Sequence, residues 1–288
     1  YKVTLWNPDG SRLAFYRMDQ TMVPDYPLVD VDPDSMAVLA PEKYPMAGRT
    51  THEVTIGVYD VKSDKTIYLK VGNPKDRYFV NIGWSPDGKT IYLKEFNRKQ
   101  NEMSLDAYDA ETGDKRATLY TERHEKYITS YTSVAFLPWD ADKFILQSQK
   151  DGYNHLYLFN TKGEMLRQLT SGNFVVYDLL GFDKARKRAI ILSAESSPIQ
   201  SNLYAVDIAT GKRTLLDNGR GVHANIISPS GFHDRALSPD GGWIIDNYAE
   251  PTVPRNIDFI NLKTDKGTRY FTADNPWRDY AEPQISSG

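Results

Sequence analysis

Apolar and polar residues alternate along most of this chain in short runs, and the runs come in pairs. The stretches "VTIGVYDVKSDKTIYLKVG", "MSLDAYDAETGDKRATLYTE", "HLYLFNTKGEMLRQLTSG", "NLYAVDIATGKRTLLDNG" and "IDFINLKTDKGTRYFTADN" share one form. Each is an alternating strand, a polar turn of Asp, Lys or Gly, and a second alternating strand, because a period of two is that of a sheet residue facing inward at every other position. With starts at Val54, Ser104, His155, Asn202 and Ile257, the copies recur about every 50 residues, the period of propeller blades. A second element precedes each pair: "LWNPDGSRLAFYR", "GWSPDGKTIYLKEF", "FLPWDADKFILQSQ", "GFDKARKRAIILSA" and "LSPDGGWIIDNY". In each, an apolar or aromatic residue leads into a tight polar turn and then a β-branched or aromatic strand.

The turn signatures are Trp6, Pro8, Asp9 and Gly10; Trp84, Pro86, Asp87 and Gly88; Gly152, Tyr153 and His155; and Pro239, Asp240 and Gly241. Proline presets the backbone, Asp bonds back to a nearby N–H, and Gly accepts positive φ. Two elements per repeat give four strands, one blade. The chain therefore reads as all-β, a β-propeller of four-stranded antiparallel blades at 1–72, 73–125, 126–172, 173–219 and 220–273, with a tail at 274–288. No helical period competes with this reading. The first repeat is interrupted between its second and third strands by "MDQTMVPDYPLVDVDPDSMAVLAPEKYPMAGRTTHE", too long and proline-rich for a blade turn. Such a segment on a rigid scaffold reads as a partner-binding arm or as a plain surface excursion.

Composition narrows the function. With 35 Lys and Arg against 38 Asp and Glu, the net charge of -3 offers no basic excess for nucleic acid. The absence of cysteine excludes disulfides, thiolate metal sites and thiol nucleophiles. No apolar run is long enough for a transmembrane helix. The N-terminus "YKVTLWNPDG" reads as strand and turn rather than leader, so the chain is expected to be either mature or a piece of something longer.

"GWSPDGK" opens like the elbow that presents a catalytic serine, G-x-S-x-G. Asp87 stands where that motif needs glycine, and Pro86 lacks the N–H that an oxyanion requires. A strand follows instead of a helix, so Ser85 reads as scaffold. His52, His124, His155, His223 and His233 have no chelating spacing and read as blade-face or loop residues. His155 is expected to fix its hairpin by a bond from imidazole to backbone. There is no phosphate-binding glycine motif and no glycosylation acceptor, and the Asp30 and Asp32 pair reads as a solvated loop rather than a cation site. No cofactor or metal is expected.

The combination of "LWNPDGSRLAFYRMDQTMVPDYPL", "YPMAGRTTHEVTIGVYDV", "GWSPDGKTIYL" and "QKDGYNHLYLF" resembles the β-propeller domain of dipeptidyl peptidase IV and its bacterial relatives over nearly the whole chain. The resemblance implies a serine exopeptidase that removes N-terminal Xaa-Pro or Xaa-Ala dipeptides. Its eight-bladed propeller gates peptide substrates above its own C-terminal α/β-hydrolase domain, which carries the catalytic serine. None of that domain is in this sequence, so the chain is expected to be an inactive fragment. The family's substrate-binding glutamate pair lies upstream, and Ser130 stands near the position of its substrate-contacting arginine.

The family's dimer contact includes the excursion of the first repeat. Residues 19–45, with Pro24, Tyr26, Pro27, Tyr44 and Pro45, are the resulting candidates for a homodimer arm. Five blades out of eight would leave two apolar end faces, so an arc, or faces covered by another molecule, is expected. Bacterial members are exported, which points to the periplasm. The alternative is a stand-alone propeller that binds proteins or ligands. An active site in the propeller channel has no supporting constellation.

Overall fold

The computed structural model of the chain describes residues 4–129, 132–224 and 236–280. All its regular elements among the described residues are strands. The first sheet begins with β1 (Thr4–Trp6) and β2 (Arg12–Asp19). Four short strands follow, β3 (Asp25–Tyr26), β4 (Val29–Asp30), β5 (Val38–Leu39) and β6 (Glu42–Lys43), before β7 (Glu53–Asp60) and β8 (Lys65–Tyr68) complete it in the order β1-β2-β7-β8. The second sheet is β9 (Arg77–Trp84), β10 (Thr90–Asn97), β11 (Glu102–Asp109) and β12 (Lys115–Arg123). The third is β13 (Ala135–Leu137), β14 (Asp140–Ser148), β15 (His155–Asn160) and β16 (Met165–Gln168), and the fourth is β17 (Val176–Asp183), β18 (Arg188–Ser193), β19 (Asn202–Asp207) and β20 (Arg213–Leu215).

A fifth sheet holds β21 (Trp243–Glu250), β22 (Val253–Asn261) and β23 (Lys266–Thr272). Every pairing in the five sheets is antiparallel between strands adjacent in order, the meander of a propeller blade. The repeated strand pairs of the sequence are the third and fourth strands of the first four sheets and the last two of the fifth. Before β21, the described residues of the fifth sheet show isolated bridges from Leu237 to Ile244 and from Val222 to Ala249, and residues 225–235 lie outside the described residues.

The chain divides into two compact units, Tyr1–Ala135 and Phe136–Gly288. In the first unit, Ala14, Val54, Ile56 and Val58 of the first sheet meet Phe79, Trp84, Ile91, Leu93 and Tyr108 of the second in one core. In the second unit the fourth sheet is buried on both faces. Ala189, Ile191, Tyr204 and Val206 pack toward Ile145, Leu156 and Leu158 of the third sheet. The alternating residues Ile190, Leu192, Leu203 and Ala205 pack toward Ile244 and Ile260 of the fifth. Each such aliphatic side chain contributes about 1.5–3 kcal/mol by leaving water. On the outer face of the fifth sheet, Trp243, Ile245 and Tyr270 line an open groove of about 1030 Å³.

The turns repeat one hydrogen-bond plan. At "SPDG" the Ser85 N–H donates to Thr90 O (2.9 Å) and Gly88 N–H to Ser85 O (2.9 Å). Ser85 Oγ accepts from Thr90 N–H (2.9 Å) and donates to Asp87 Oδ1 (2.6 Å). Ser238 repeats this with Trp243 N–H (3.0 Å) and Asp240 (2.5 Å), and Asn7 Oδ1 takes the same place by accepting from Arg12 N–H (2.9 Å). The outer hairpins have their own plan, in which the last residue of the hairpin's first strand caps the turn. Asp60 accepts from Ser63 N–H, Asp109 from Thr112 N–H, Asn160 from Lys162 N–H, Asp207 from Thr210 N–H and Asn261 from Lys263 N–H. At Gly113, φ is 75° and an added Cβ would stand 2.4 Å from Tyr68 O of the neighbouring sheet. Only glycine fits there.

Polar side chains fasten one sheet to the next. Trp84 Nε1 donates to Leu5 O (3.0 Å) in the first unit. In the second, the buried guanidinium of Arg188 on β18 donates to Asp183 Oδ2 (2.8 Å) and reaches across to Leu262 O (2.9 Å) and Asp265 Oδ1 (2.7 Å), which belong to the fifth sheet and its turn. Replacing Arg188 by Met should lower the stability of the chain by about 3–5 kcal/mol in urea titration, because two carboxylates and a carbonyl lose their buried partner.

Hairpin caps also set acid sensitivity. The Asp60 carboxyl is held down to about 2 by the Ser63 N–H and the Arg12 guanidinium, and that of Asp109 to about 2 by Arg116 and the Thr112 N–H. Depressed carboxyls stabilise the fold above their ordinary value of 3.8 and cease to do so as pH falls through the folded value. The urea midpoint should therefore drop as pH is lowered from about 4 to about 2, and by less in Arg116→Gln, where one of these carboxyls titrates nearer its ordinary value.

Candidate functional site

The interruption of the first repeat folds as a narrow hairpin arm. Val23 is buried at its root, and Tyr44 N–H donates to Pro24 O (3.1 Å). β3 pairs with β6 through Asp25↔Lys43 and Tyr26↔Glu42, and the Lys43 ammonium lies 3.0 Å from the Asp25 carboxylate. Farther out, β4 pairs with β5 through Val29↔Leu39 and Asp30↔Val38, and Ala40 N–H donates to Leu28 O (2.8 Å). Pro24, Pro27, Pro41 and Pro45 interrupt the ladder, since proline has no N–H to donate. This is why the arm is two short ladders rather than one long hairpin.

Almost nothing on the arm is buried. Tyr26 and Tyr44 meet edge to face with centroids 5.7 Å apart, both exposed. Leu28, Val29, Val38 and Leu39 are also exposed, and Val31 and Met36 at the tip are 74% and 75% exposed. Apolar side chains exposed in such number on one arm, with Asp25, Asp30, Asp32 and Glu42 among them, are a surface of the kind that binding sites use. Asp30 Oδ1 accepts from Asp32 N–H (3.0 Å) in a local turn, and no group of three or more metal-ligating side chains occurs among the described residues. The arm's base is tied down where Arg98 pairs with Asp76 (2.7 Å) and donates to Arg49 O.

Ser85 is buried, and its hydroxyl is committed to Asp87 and the Thr90 amide. The Asp87 carboxyl is itself held below its ordinary value by the Ser85 hydroxyl, which makes it a weak base. His155 is buried at the start of β15, with Nδ1 3.0 Å from Thr170 Oγ1 and Nε2 3.0 Å from Gly172 O. His124 Nδ1 accepts from Lys126 N–H (3.1 Å) in an exposed loop, and His52, partly buried beside Tyr78, is pushed down by that burial. Gly152 and Tyr153 form the turn before β15, with Gly152 at φ 100°. Ser130 and His233 lie outside the described residues.

Sequence reasoning missed the contact between His223 and Asp246, 2.7 Å apart and both buried. Their separation of 23 residues matches no motif spacing, so only the fold brings them together.

A family model described as the dipeptidyl peptidase IV (DPP IV) N-terminal region matches residues 1–255. The probable dipeptidyl-aminopeptidase B of Talaromyces marneffei is 26% identical over 87% of this chain and 30% of its own length. The probable dipeptidyl peptidase 4 of Aspergillus flavus is 26% identical over 99% of this chain and 38% of its own length. This chain thus spans about a third of these curated relatives. Among solved structures, a candidate dipeptidyl aminopeptidase IV of Bacteroides ovatus superposes with a TM-score of 0.82 at 38% identity, covering 96% of this chain and 40% of that one. Porphyromonas gingivalis dipeptidyl peptidase 4 does so with 0.79 at 26% identity, covering 93% and 36%. With the blades, their turns and a family model over most of its length in agreement, the chain belongs to the family of dipeptidyl peptidase IV N-terminal regions.

Proposed function

We propose that this chain is the non-catalytic propeller portion of a serine exopeptidase that releases N-terminal Xaa-Pro and Xaa-Ala dipeptides. Its role is to gate and position peptides for a C-terminal α/β-hydrolase domain of the same polypeptide. The carrying observation is the match of residues 1–255 to the dipeptidyl peptidase IV N-terminal region. The commitment of the Ser85 hydroxyl to its own turn supports the same reading. Export to the periplasm fits the 38% identity to a Bacteroides protein and the lack of cysteine. No helix among the described residues is long and apolar enough to cross a membrane.

Incubated with a glycyl-prolyl chromogenic substrate, the 288-residue chain should give no turnover above buffer, whereas the complete product of its gene should release the dipeptide. Specific turnover by the chain itself would overturn the reading. Ser85→Ala in the complete protein should leave turnover in place and lower stability by about 1 kcal/mol through the lost turn bonds.

The arm serves, in this proposal, as a homodimer contact. Its apolar tip is what a second subunit would cover, and it stands apart from the sheet cores. Val31→Asp together with Met36→Asp should shift the complete protein from dimer to monomer in sedimentation equilibrium while changing its stability by less than about 0.5 kcal/mol. An unchanged mass, or a monomeric parent, would remove the arm from this role.

A further inference from the structure

The segment 221–223 runs between the fourth and fifth sheets as an isolated strand. Ser201 bridges to Val222 in parallel, and Val222 to Ala249 in antiparallel fashion. His223 N–H donates to Ser201 O (2.9 Å), and Val222 and Ala249 exchange N–H···O bonds of 2.9 and 3.1 Å. The side chain of His223 then turns into a closed polar chamber. Nδ1 faces Asp246 Oδ2 of β21 at 2.7 Å and Asp217 Oδ2 at 3.7 Å. Nε2 faces the Arg220 carbonyl at 2.6 Å and Asn218 Oδ1 at 3.2 Å.

These partners fix the ring's protonation. A backbone carbonyl can only accept, so Nε2 must carry a proton; an ionised carboxylate can only accept, so Nδ1 must carry one too. Both carboxylates are provided for as anions. Asp246 Oδ1 accepts from Ala224 N–H (3.0 Å), and Asp217 accepts from Leu203 N–H (2.6 Å), Gly219 N–H (2.8 Å) and Asn202 Nδ2 (3.1 Å). The face of the ring lies on Tyr248, centroids 4.7 Å apart and planes within 9°, as a cation lies on an aromatic ring. Among the described residues, Arg269 of β23 lies 5.7 Å from the Tyr248 ring and pairs with Asp258 of β22.

We infer that His223 is held as an imidazolium, and that its charge fastens the fourth sheet to the fifth through the 221–223 segment. The lock opens in alkali. Burial opposes the charge, but the hydrogen bond and field of Asp246, the field of Asp217 and the Arg220 carbonyl raise the ring above its ordinary value of 6.5. A raised histidine stabilises the fold fully below 6.5 and loses that contribution as pH rises through the folded value. Asp217, raised by burial, disfavours its charged form, so it adds a loss of the same sign at lower pH, beginning near 3.8. His52, pushed down by burial, titrates below the window and with the opposite sign.

The test uses the 288-residue chain labelled with ¹⁵N at histidine. At about pH 7.5, where a free imidazole is neutral, the His223 ring should carry both protons, and its titration should come later than an unperturbed one. In urea titrations the unfolding constant should rise by up to about tenfold per pH unit above about 6.5. That slope should vanish in His223→Gln. A neutral tautomer at this pH, including one whose proton has passed to Asp246, would overturn the inference, as would an equal slope in both proteins. Should His223→Gln fail to fold, Asp246→Asn replaces it: the ring should then titrate earlier than in the parent, and an unmoved titration would count against the lock.

Discussion

A sheet whose two faces are both apolar is stable only between two other surfaces, and this constraint orders the whole chain. β18 shows it most directly. All six of its residues are buried, yet its four apolar ones belong to two different cores, Ala189 and Ile191 to one and Ile190 and Leu192 to the other. A strand with period two normally turns one face to water; here the period sorts apolar residues between neighbours. Where the second neighbour is lacking among the described residues, as on the outer face of the fifth sheet, Trp243, Ile245 and Tyr270 stand open to solvent.

Flat apolar faces slide, so direction has to come from polar contacts, and these gather at the rims. The Arg188 guanidinium fixes the fourth sheet to the turn of the fifth at one place, and the His223 chamber fixes the same two sheets at another. The two fasteners differ in kind. A guanidinium stays charged at any physiological pH, and burial of Arg188 is outweighed by its bonds to Asp265 and Asp183. An imidazole keeps its charge only while its surroundings hold the proton. One joint between blades thus contains a fixed tie and a titratable one.

The same physics explains what could be read in advance. The paired strands were legible because their period is strict and the first strand of each pair ends in Asp or Asn, whose side chain caps the turn that follows. The "SPDG" turns were legible because Pro86 and Asp87 are incompatible with an oxyanion site, and the buried Ser85 hydroxyl is spent on Asp87 and Thr90. The arm was legible only as an interruption, since ladders of two residues between prolines are too short to show a period. Arg188 with Asp265, and His223 with Asp246, left no local trace at all. Each pair is joined across sheets, and a spacing of 77 or 23 residues is set by blade geometry rather than by any turn or helix.

That division bears on how chemistry can be distributed in such a protein. A nucleophile needs a base nearby that is free to take its proton, and a base needs an unoccupied lone pair. Ser85 has as its neighbour a carboxylate held below its usual range by the serine's own hydroxyl, the reverse of activation. His155 spends both ring nitrogens on Thr170 and Gly172, and His223 spends both on Asp246 and Arg220. Ser85 holds a turn, His155 holds its own hairpin and His223 ties two sheets, so freeing any of them for catalysis would loosen the scaffold. A propeller built this way spends these polar side chains on its own framework, and their hydrogen bonds are part of what keeps its strands and sheets in place.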